Sequence, residues 1–521
     1  MPSDAKSRTA TITPSDSAIL IGVDVGTTSV RAIAFDARGR KIAASSRRTP
    51  VNSSGEYDPD VIFAVAQAVL ADVAKALSGR PVAGIAVASI GESCVLLDNG
   101  GRAVAPSIIW HDRRTVAAAR AIEEALGRER IFQITGHAVE PIFTLAKLIW
   151  MREHWSSAVA KARRVLMMAD WIAFRLAGEA ATDPMLASRT LYFDIRRWCW
   201  SEELLSLAGF DTDFPAPLAA SGTPLGRVRK GILAETGLAG SPVVAVGGHD
   251  HVLGAVATGL SAPGMLIDSV GTAEGFYFAT AAPLDDPETI RHGYVQGAIE
   301  IDRRMSYVGG SIFSSGGAIE WLRSVIGNTP QATLIAGAAA VPVGSGGVVF
   351  LPHLANSPPP APDEHSRGAF LGLTAAVTPP MLYRAVLEGL AMQSRMLLDG
   401  LTALSGVGPA EAIRLIGGAS RNRLFLSIKA NVFAQPIVVV EEPEATALGA
   451  ALLGGVAAGI YPTMDAAIGG LDRKTSVVEP DATAERYEQL RTTVFAPIHG
   501  RVRPINRSLD AFLVAGRSTP G

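Results

Sequence analysis

Residues Ile19 to Phe35 read ILIGVDVGTTSVRAIAF, and this stretch decides the fold. Two apolar runs rich in Ile, Val and Ala flank a short polar turn, the pattern of two buried strands in a hairpin. Gly26 in the turn is free to take a positive φ, which the turn is expected to need. Its missing side chain also leaves backbone N–H groups open to an anion such as phosphate. Thr27, Thr28 and Ser29 add hydroxyl donors. Asp24 stands where strand becomes turn and can hold Mg²⁺, directly or through water. An acid repels a neighbouring phosphate unless a cation lies between them, so the pairing points to a metal–nucleotide site. An ordinary hairpin with a polar tip accounts for the segment equally well, since short glycine motifs are common.

At 521 residues the chain exceeds the usual size of one domain, and two large domains are expected. Its 48% hydrophobic and 18% charged residues suffice for substantial cores. The net charge of −2 argues against general nucleic-acid binding, which needs a basic surface. Cys94 and Cys199 lie far apart, without metal-ligand spacing, and fit a reducing, cytoplasmic setting. The polar N-terminus, residues 1–18, reads as a loose tail without the apolar core of a signal peptide. The apolar stretch Gly449 to Ile460 falls below the roughly 20 residues that span a bilayer, so no membrane partner is expected. Rich in Ala, Gly, Leu and Val, it reads as a tightly packed helix.

Strand-like and helical runs alternate, which points to α/β architecture. Asp58 to Leu77, Thr115 to Leu126 and Leu145 to His154 carry helical spacing, and Val82 to Ile90 reads as a buried strand. Val243 to Val246 reads as another strand, followed by a helix over Val252 to Thr258. The informative event is a near-repeat: Gly264 to Thr280 reads GMLIDSVGTAEGFYFAT, again an apolar run, then V-G-T, then an apolar run. Val25-Gly26-Thr27 and Val270-Gly271-Thr272 thus read as equivalent turns of two related domains, 19–262 and 263–503, joined near Ser261-Ala262-Pro263. Two such turns facing each other place a nucleotide between the domains. A three-residue match also arises by chance. Residues 504–521 read as a frayed tail.

Seven motifs then stand in order. They are Asp24 to Ser29, Trp110 to Arg114, Thr144 to Trp150, Gly247 to Asp250, Ser269 to Thr272, Gly368 to Gly389 and Gly417 to Asn422. Together they resemble the FGGY family of carbohydrate kinases, within the actin-like ATPase superfamily, from about Ile19 to Ile498. The resemblance implies two actin-like domains, each a mixed five-stranded sheet flanked by helices, with a cleft between. It implies an ATP-dependent sugar kinase using Mg²⁺. Gly26, Thr27 and Thr28 then hold ATP phosphates, as do Gly271 and Thr272 from the second domain. Gly316 matches the family's glycine beside the nucleotide, and Gly417, Gly418, Ala419 and Asn422 match its adenosine motif.

Asp250 is the catalytic candidate. Following a strand and opening a helix, it can project into the cleft, orient a sugar hydroxyl and accept its proton. It can also contribute to holding Mg²⁺. Asp is equally suited to cap a helix there, and both roles are compatible. The flanking His249 and His251 suit sugar contact or support better than zinc, because no further ligand cluster is near in sequence. Glu92 falls where relatives place a polar contact to substrate, and Trp110 and Asp112 match the W-x-D pattern near the sugar pocket. Two departures argue against glycerol: Ile142 stands where glycerol kinases carry a tyrosine, and Gly91 where they carry an arginine. Segments Ile90 to Ser93 and Asn356 to Pro360 depart from the xylulokinase pattern as well. Ketopentoses, ketohexoses, tetruloses and polyols remain open as substrates, and a homodimer is compatible with the family. A nucleotide-dependent switch on the same fold has no need for Trp110, Asp112 and Asp250. A non-catalytic sugar-binding relative has none for an intact Asp24 and Asp250.

Overall fold

The structure is a computed structural model that describes residues 17–517, with side chains through Leu513. Of the expected N-terminal tail, residues 1–16 lie outside it.

The opening hairpin forms as read. Strand β1 (Ile19–Val25) pairs antiparallel with β2 (Ser29–Asp36), with Val25 opposite Val30. β3 (Lys41–Arg48) extends this edge, and its charged, exposed residues suit a strand with one free side. On the other side β1 runs parallel to β4 (Val82–Ser89), which runs parallel to β6 (Gly240–His249). A short antiparallel strand, β5 (Pro224–Arg227), closes the order β5-β6-β4-β1-β2-β3. All seven residues of β1 are buried, because helices cover both faces of the sheet. That burial explains an apolar run without alternation.

The second sheet repeats the first. β7 (Met265–Val270) and β8 (Glu274–Thr280) form the equivalent hairpin, and β9 (Val295–Glu300) and β10 (Arg304–Ile312) follow at its side. β11 (Ala412–Ile416) and β12 (Ile437–Val440) run parallel to β7, and β13 (Thr475–Val478) pairs antiparallel at the edge. The order β9-β10-β8-β7-β11-β12-β13 matches the first sheet strand for strand, with β9 added. The V-G-T repeat therefore marks a structural duplication. The sheets hold six and seven strands rather than five, because β5 and β13 ride on the edges and β9 extends the second.

Seven helices position the site. α1 (Pro59–Leu77) starts on Asp58, whose carboxylate accepts from the N–H groups of Asp60 and Val61. It buries Ile62, Phe63, Val69 and Leu70 against the first sheet. α2 (Thr144–His154) follows, then α3 (Asp250–Ala257) directly after β6. α4 (Ser315–Val325), α5 (Pro379–Thr402) and α6 (Arg423–Phe433) pack in the second half. α7 (Ala445–Ala457) crosses back to lie on the first sheet. A Cβ on Gly22 would come within 1.7 Å of Ala447 O, and one on Gly84 within 2.0 Å of Gly454 O. Helix backbone thus rests on strand backbone, which is why this helix is built from Ala and Gly. Leu20, Ala86, Val252, Leu253, Ala451 and Ile267 close a core between the two halves.

The chain end differs from expectation. α8 (Ile498–Arg517) runs through Pro504, where a frayed tail was expected. Asn506 is buried, and Asp510 is held by His365, at 2.7 Å, and by Arg367. These partners lie about 145 residues away, so no local pattern signals them. Residues 518–521 lie outside the described structure. No helix among the described residues is long and apolar enough to cross a membrane.

Candidate active site

A cavity of about 560 Å³ opens on the second half, lined by Gly271, Thr272, Gly316, Gly418, Ala419 and Asn422 among others. Six residues singled out from sequence are thus gathered from three separate segments. Sterics explain two of the glycines. A Cβ on Gly316 would come 2.4 Å from Gly271 O, and Gly316 N–H donates to that same oxygen at 3.1 Å. Gly417 has φ +93°, and a Cβ there would come 2.5 Å from Val270 O. The start of α4 and the loop before α6 therefore press on the second turn from two sides. Asn422 caps α6, its Oδ1 accepting from Phe425 N–H at 3.2 Å, while its Nδ2 donates to Tyr383 at 3.4 Å.

Beneath this turn lies a buried charge cluster that sequence reading missed. Lys429 is fully buried and donates to Asp268 and, at 2.7 Å, to Glu274. Ser315 and Ser394 donate to Glu274 as well. Two carboxylates face one ammonium, and burial pushes Asp268 upward. The cluster joins β7, β8, α4, α5 and α6, the elements that carry the cavity.

The first turn is closed by Gly26 N–H donating to Ser29 O at 3.0 Å. Gly26 does not take the positive φ expected of it. Its constraint is room, since a Cβ would come 3.3 Å from Ser29 O. Thr49 supports the turn from β3's end, its hydroxyl donating to Gly26 O at 2.7 Å. Trp110 Nε1 donates to Thr27 Oγ1 at 2.9 Å. That bond occupies an acceptor lobe of the hydroxyl and leaves its proton free to point elsewhere.

Two acids converge below the turn. Asp24 is buried and paired with Arg31 at 2.5 Å, and Arg31 reaches on to Glu444 of the second half at 3.0 Å. Burial nevertheless holds the Asp24 carboxyl above its usual value. Asp250, at the start of α3, accepts from His251 N–H at 2.6 Å and lies 3.4 Å from His249 Nε2. Burial pushes its carboxyl up to about 6, the His251 side chain opposing and the Asp24 charge adding to the rise. His249 is held well below its usual value, first by burial and then by Arg189, so its ring is neutral at pH 7. Among the described residues no three His, Cys, Asp or Glu gather as a metal-binding group. A pair of acids without a full cage suits Mg²⁺, which keeps several waters and shares its coordination with phosphates.

Glu92 adopts φ +62° and is paired with Arg189, whose Nε lies 2.6 Å from its Oε1. Lys147 is fully buried under this loop, donating to Glu92 O at 3.1 Å and Trp110 O at 3.4 Å. Burial pushes its ammonium down to about 8. Asp112 is committed to Arg114, at 2.8 Å, and Arg114 also binds Glu56. Its carboxylate therefore orders the loop carrying Trp110. Arg189, Tyr277 and Tyr307 were missed from sequence. Arg189 and Tyr307 sit outside the quoted motifs, Tyr277 lies in the apolar run after the second turn, and only the tertiary fold brings them to Glu92 and Asp250.

The chain is similar to known proteins over both halves. Models of the N-terminal and C-terminal domains of the FGGY family of carbohydrate kinases match residues 19–257 and 267–458. A xylulose kinase from Bacillus subtilis is 26% identical over 505 residues, covering 95% of this chain and 99% of its own. A glycerol kinase from Citrifermentans bemidjiense is 32% identical, covering 90% of this chain and 96% of its own. The crystal structure of xylulose kinase from Rhodospirillum rubrum superposes with a TM-score of 0.84 at 26% identity, covering 94% of this chain and 100% of that one. The duplicated sheets, the paired turns and these matches over both halves make the chain a member of the FGGY family of carbohydrate kinases, an ATP-dependent sugar kinase.

Proposed function

We propose that this kinase transfers the γ-phosphate of ATP to a primary hydroxyl of a small ketose or polyol, with Asp250 as general base. The observation that carries the reading is the position and state of Asp250. It opens α3 below the first turn, beside Asp24, with its carboxyl pushed up to about 6. A base poised near neutral pH accepts a proton as the hydroxyl attacks, yet is largely ionised at pH 7.

The surrounding residues supply the remaining parts. Gly26 and Gly271 spend their own N–H groups in closing the two turns, and the hydroxyls of Thr27, Thr28 and Thr272, with the neighbouring N–H groups of those turns, hold the phosphates and stabilise charge building on them. Gly316, Gly418 and Ala419 line the cavity that takes the nucleoside, with Asn422 at its wall and Gly417 packed behind it on Val270. Asp24 and Asp250 hold Mg²⁺, which when bound neutralises phosphate charge. Glu92, Trp110 and His249 line the sugar side, and Asp112 keeps Trp110 in place through Arg114. Closure of the two halves excludes water and suppresses ATP hydrolysis.

The test is ATP consumption with Mg²⁺ across ketoses, aldonates and polyols, against a control without sugar. Sugar-dependent turnover that Asp250→Asn reduces by a factor of about 10² or more supports the reading. Sugar-independent hydrolysis, or near-normal turnover in the variant, overturns it.

A further inference from the structure

The ion pair between Glu92 and Arg189 fills a space that a glycine leaves. A Cβ on Gly91 would lie 3.0 Å from Cγ and 3.1 Å from Cβ of Arg189, and 3.2 Å from Cδ2 of His249. A side chain at 91 would crowd the present Arg189 and require it to shift. The same relation recurs on the second half. A Cβ on Gly275 would lie 3.2 Å from Cε2 and 3.5 Å from the hydroxyl of Tyr277. Tyr277 meets Tyr307 edge-on at 5.7 Å, and the Tyr307 hydroxyl lies against the Arg189 guanidinium. The Phe143 ring, 5.2 Å from Arg189 Cζ, supports the guanidinium from another side. Residues of both halves thus build one wall, and the charges of Asp250, Glu92 and Arg189 all reach Tyr277.

The donors of this wall are unevenly spent. Nε and Nη2 of Arg189 both address Oε1 of Glu92. Oε2 of Glu92 accepts no hydrogen bond from the described residues. A carboxylate oxygen open to donors therefore stands beside a guanidinium and two phenol hydroxyls. We propose that Arg189, with Glu92, Tyr277 and Tyr307, determines specificity by reading two adjacent hydroxyls at the end of the substrate remote from the phosphorylated one. One hydroxyl donates to Glu92 Oε2, and its neighbour accepts from the guanidinium or a tyrosine. The substrate class is a neutral polyhydroxy chain with a vicinal diol. A sugar acid fits poorly, because Glu92 already neutralises Arg189 while Asp250 adds negative charge nearby. This assignment rests on the kinase reading above and narrows it.

The test uses the full-length protein with xylitol, D-xylulose and D-ribulose, their monodeoxy analogues, and D-gluconate as the acid. Sugar binding is measured by calorimetry without ATP, and turnover is measured separately with Mg²⁺ and ATP. A neutral probe is expected to lose about 100-fold or more in kcat/KM when one hydroxyl of the diol is removed, because a polar wall built for it is left unpaired. Arg189→Met is expected to compress that discrimination to within about threefold and leave KM for ATP within about twofold, since it removes only sugar-side contacts. Should unpaired Glu92 prevent folding of that variant, Tyr307→Phe and Arg189→Lys carry the same comparison. Discrimination that survives these substitutions, D-gluconate preferred over the neutral probes, or no binding of any diol overturns the proposal. Selective diol binding without phosphoryl transfer instead overturns the kinase reading and leaves the wall assigned.

Discussion

Replacing Asp250 with asparagine is expected to stabilise the protein while stopping its reaction. The carboxyl is driven from 3.8 to about 6, chiefly by burial, so the folded chain holds its proton more tightly than the unfolded chain does. Such a group favours folding most at low pH. Its contribution falls as pH rises from 3.8 through about 6, because ionisation is then harder in the folded state. Above that window the buried charge costs about 3 kcal/mol, since each pKa unit corresponds to about 1.36 kcal/mol. Asparagine keeps the size and the oxygen that accepts from His251 N–H, but never ionises. Removing a cost of about 3 kcal/mol raises Tm by roughly 3–6 °C, depending on whether the halves unfold together or singly. Scanning calorimetry of the nucleotide-free protein at pH 7.5 and pH 4.0 measures this directly. The gain should appear at pH 7.5 and nearly vanish at pH 4.0. A variant no more stable at pH 7.5, or equally stabilised at both pH values, would refute the reasoning.

Three further outcomes follow from the geometry. The acid limb of kcat/KM for the sugar is expected near pH 6 in the free enzyme, rising with pH as Asp250 ionises; a flat profile from pH 5 to 8 removes it as base. Gly316→Ala drives a Cβ into Gly271 O and displaces the second turn, so ATP affinity should fall about tenfold or more while sugar binding without ATP persists. Titration calorimetry with each ligand separates the two. Lys429→Met leaves two buried carboxylates facing each other and is expected to destabilise by about 3–5 kcal/mol, read as a lower midpoint in urea. An unchanged midpoint contradicts the role given to the cluster.

The fold was legible where local chemistry and duplication coincide. The Ile19–Phe35 hairpin and its echo at Gly264–Thr280 mark the central strands of both sheets, and Asp58 before Pro59 marks the start of α1. The cavity proposed for the nucleotide was legible through its glycine motifs, although close backbone packing explains only Gly316 among its lining glycines. Gly271, Gly316 and Gly418 line one cavity. The wall around Arg189 left no such trace. Arg189, Tyr277 and Tyr307 come from separate elements; nothing near Arg189 and Tyr307 distinguishes them, and Tyr277 reads as one more apolar residue of the strand after the second turn. The Lys429 cluster was hidden for the same reason, since its partners lie 155 and 161 residues away. Position 504 misled because proline in a polar stretch suggests a chain end, whereas Asp510 anchors α8 through distant partners.

The contact of α7 with the first sheet bears on how mutations in this protein are interpreted. Gly22 and Gly84 touch no candidate ligand residue, yet one added methyl at either would collide with helix backbone that cannot step aside. A saturation screen scored by growth or turnover would rank both beside Asp250 among intolerant positions. Ranking alone would then nominate two architectural glycines as catalytic. A screen for soluble abundance separates the classes, because losses at Gly22 and Gly84 should lower abundance and activity together, whereas Asp250 variants accumulate as folded, inert protein.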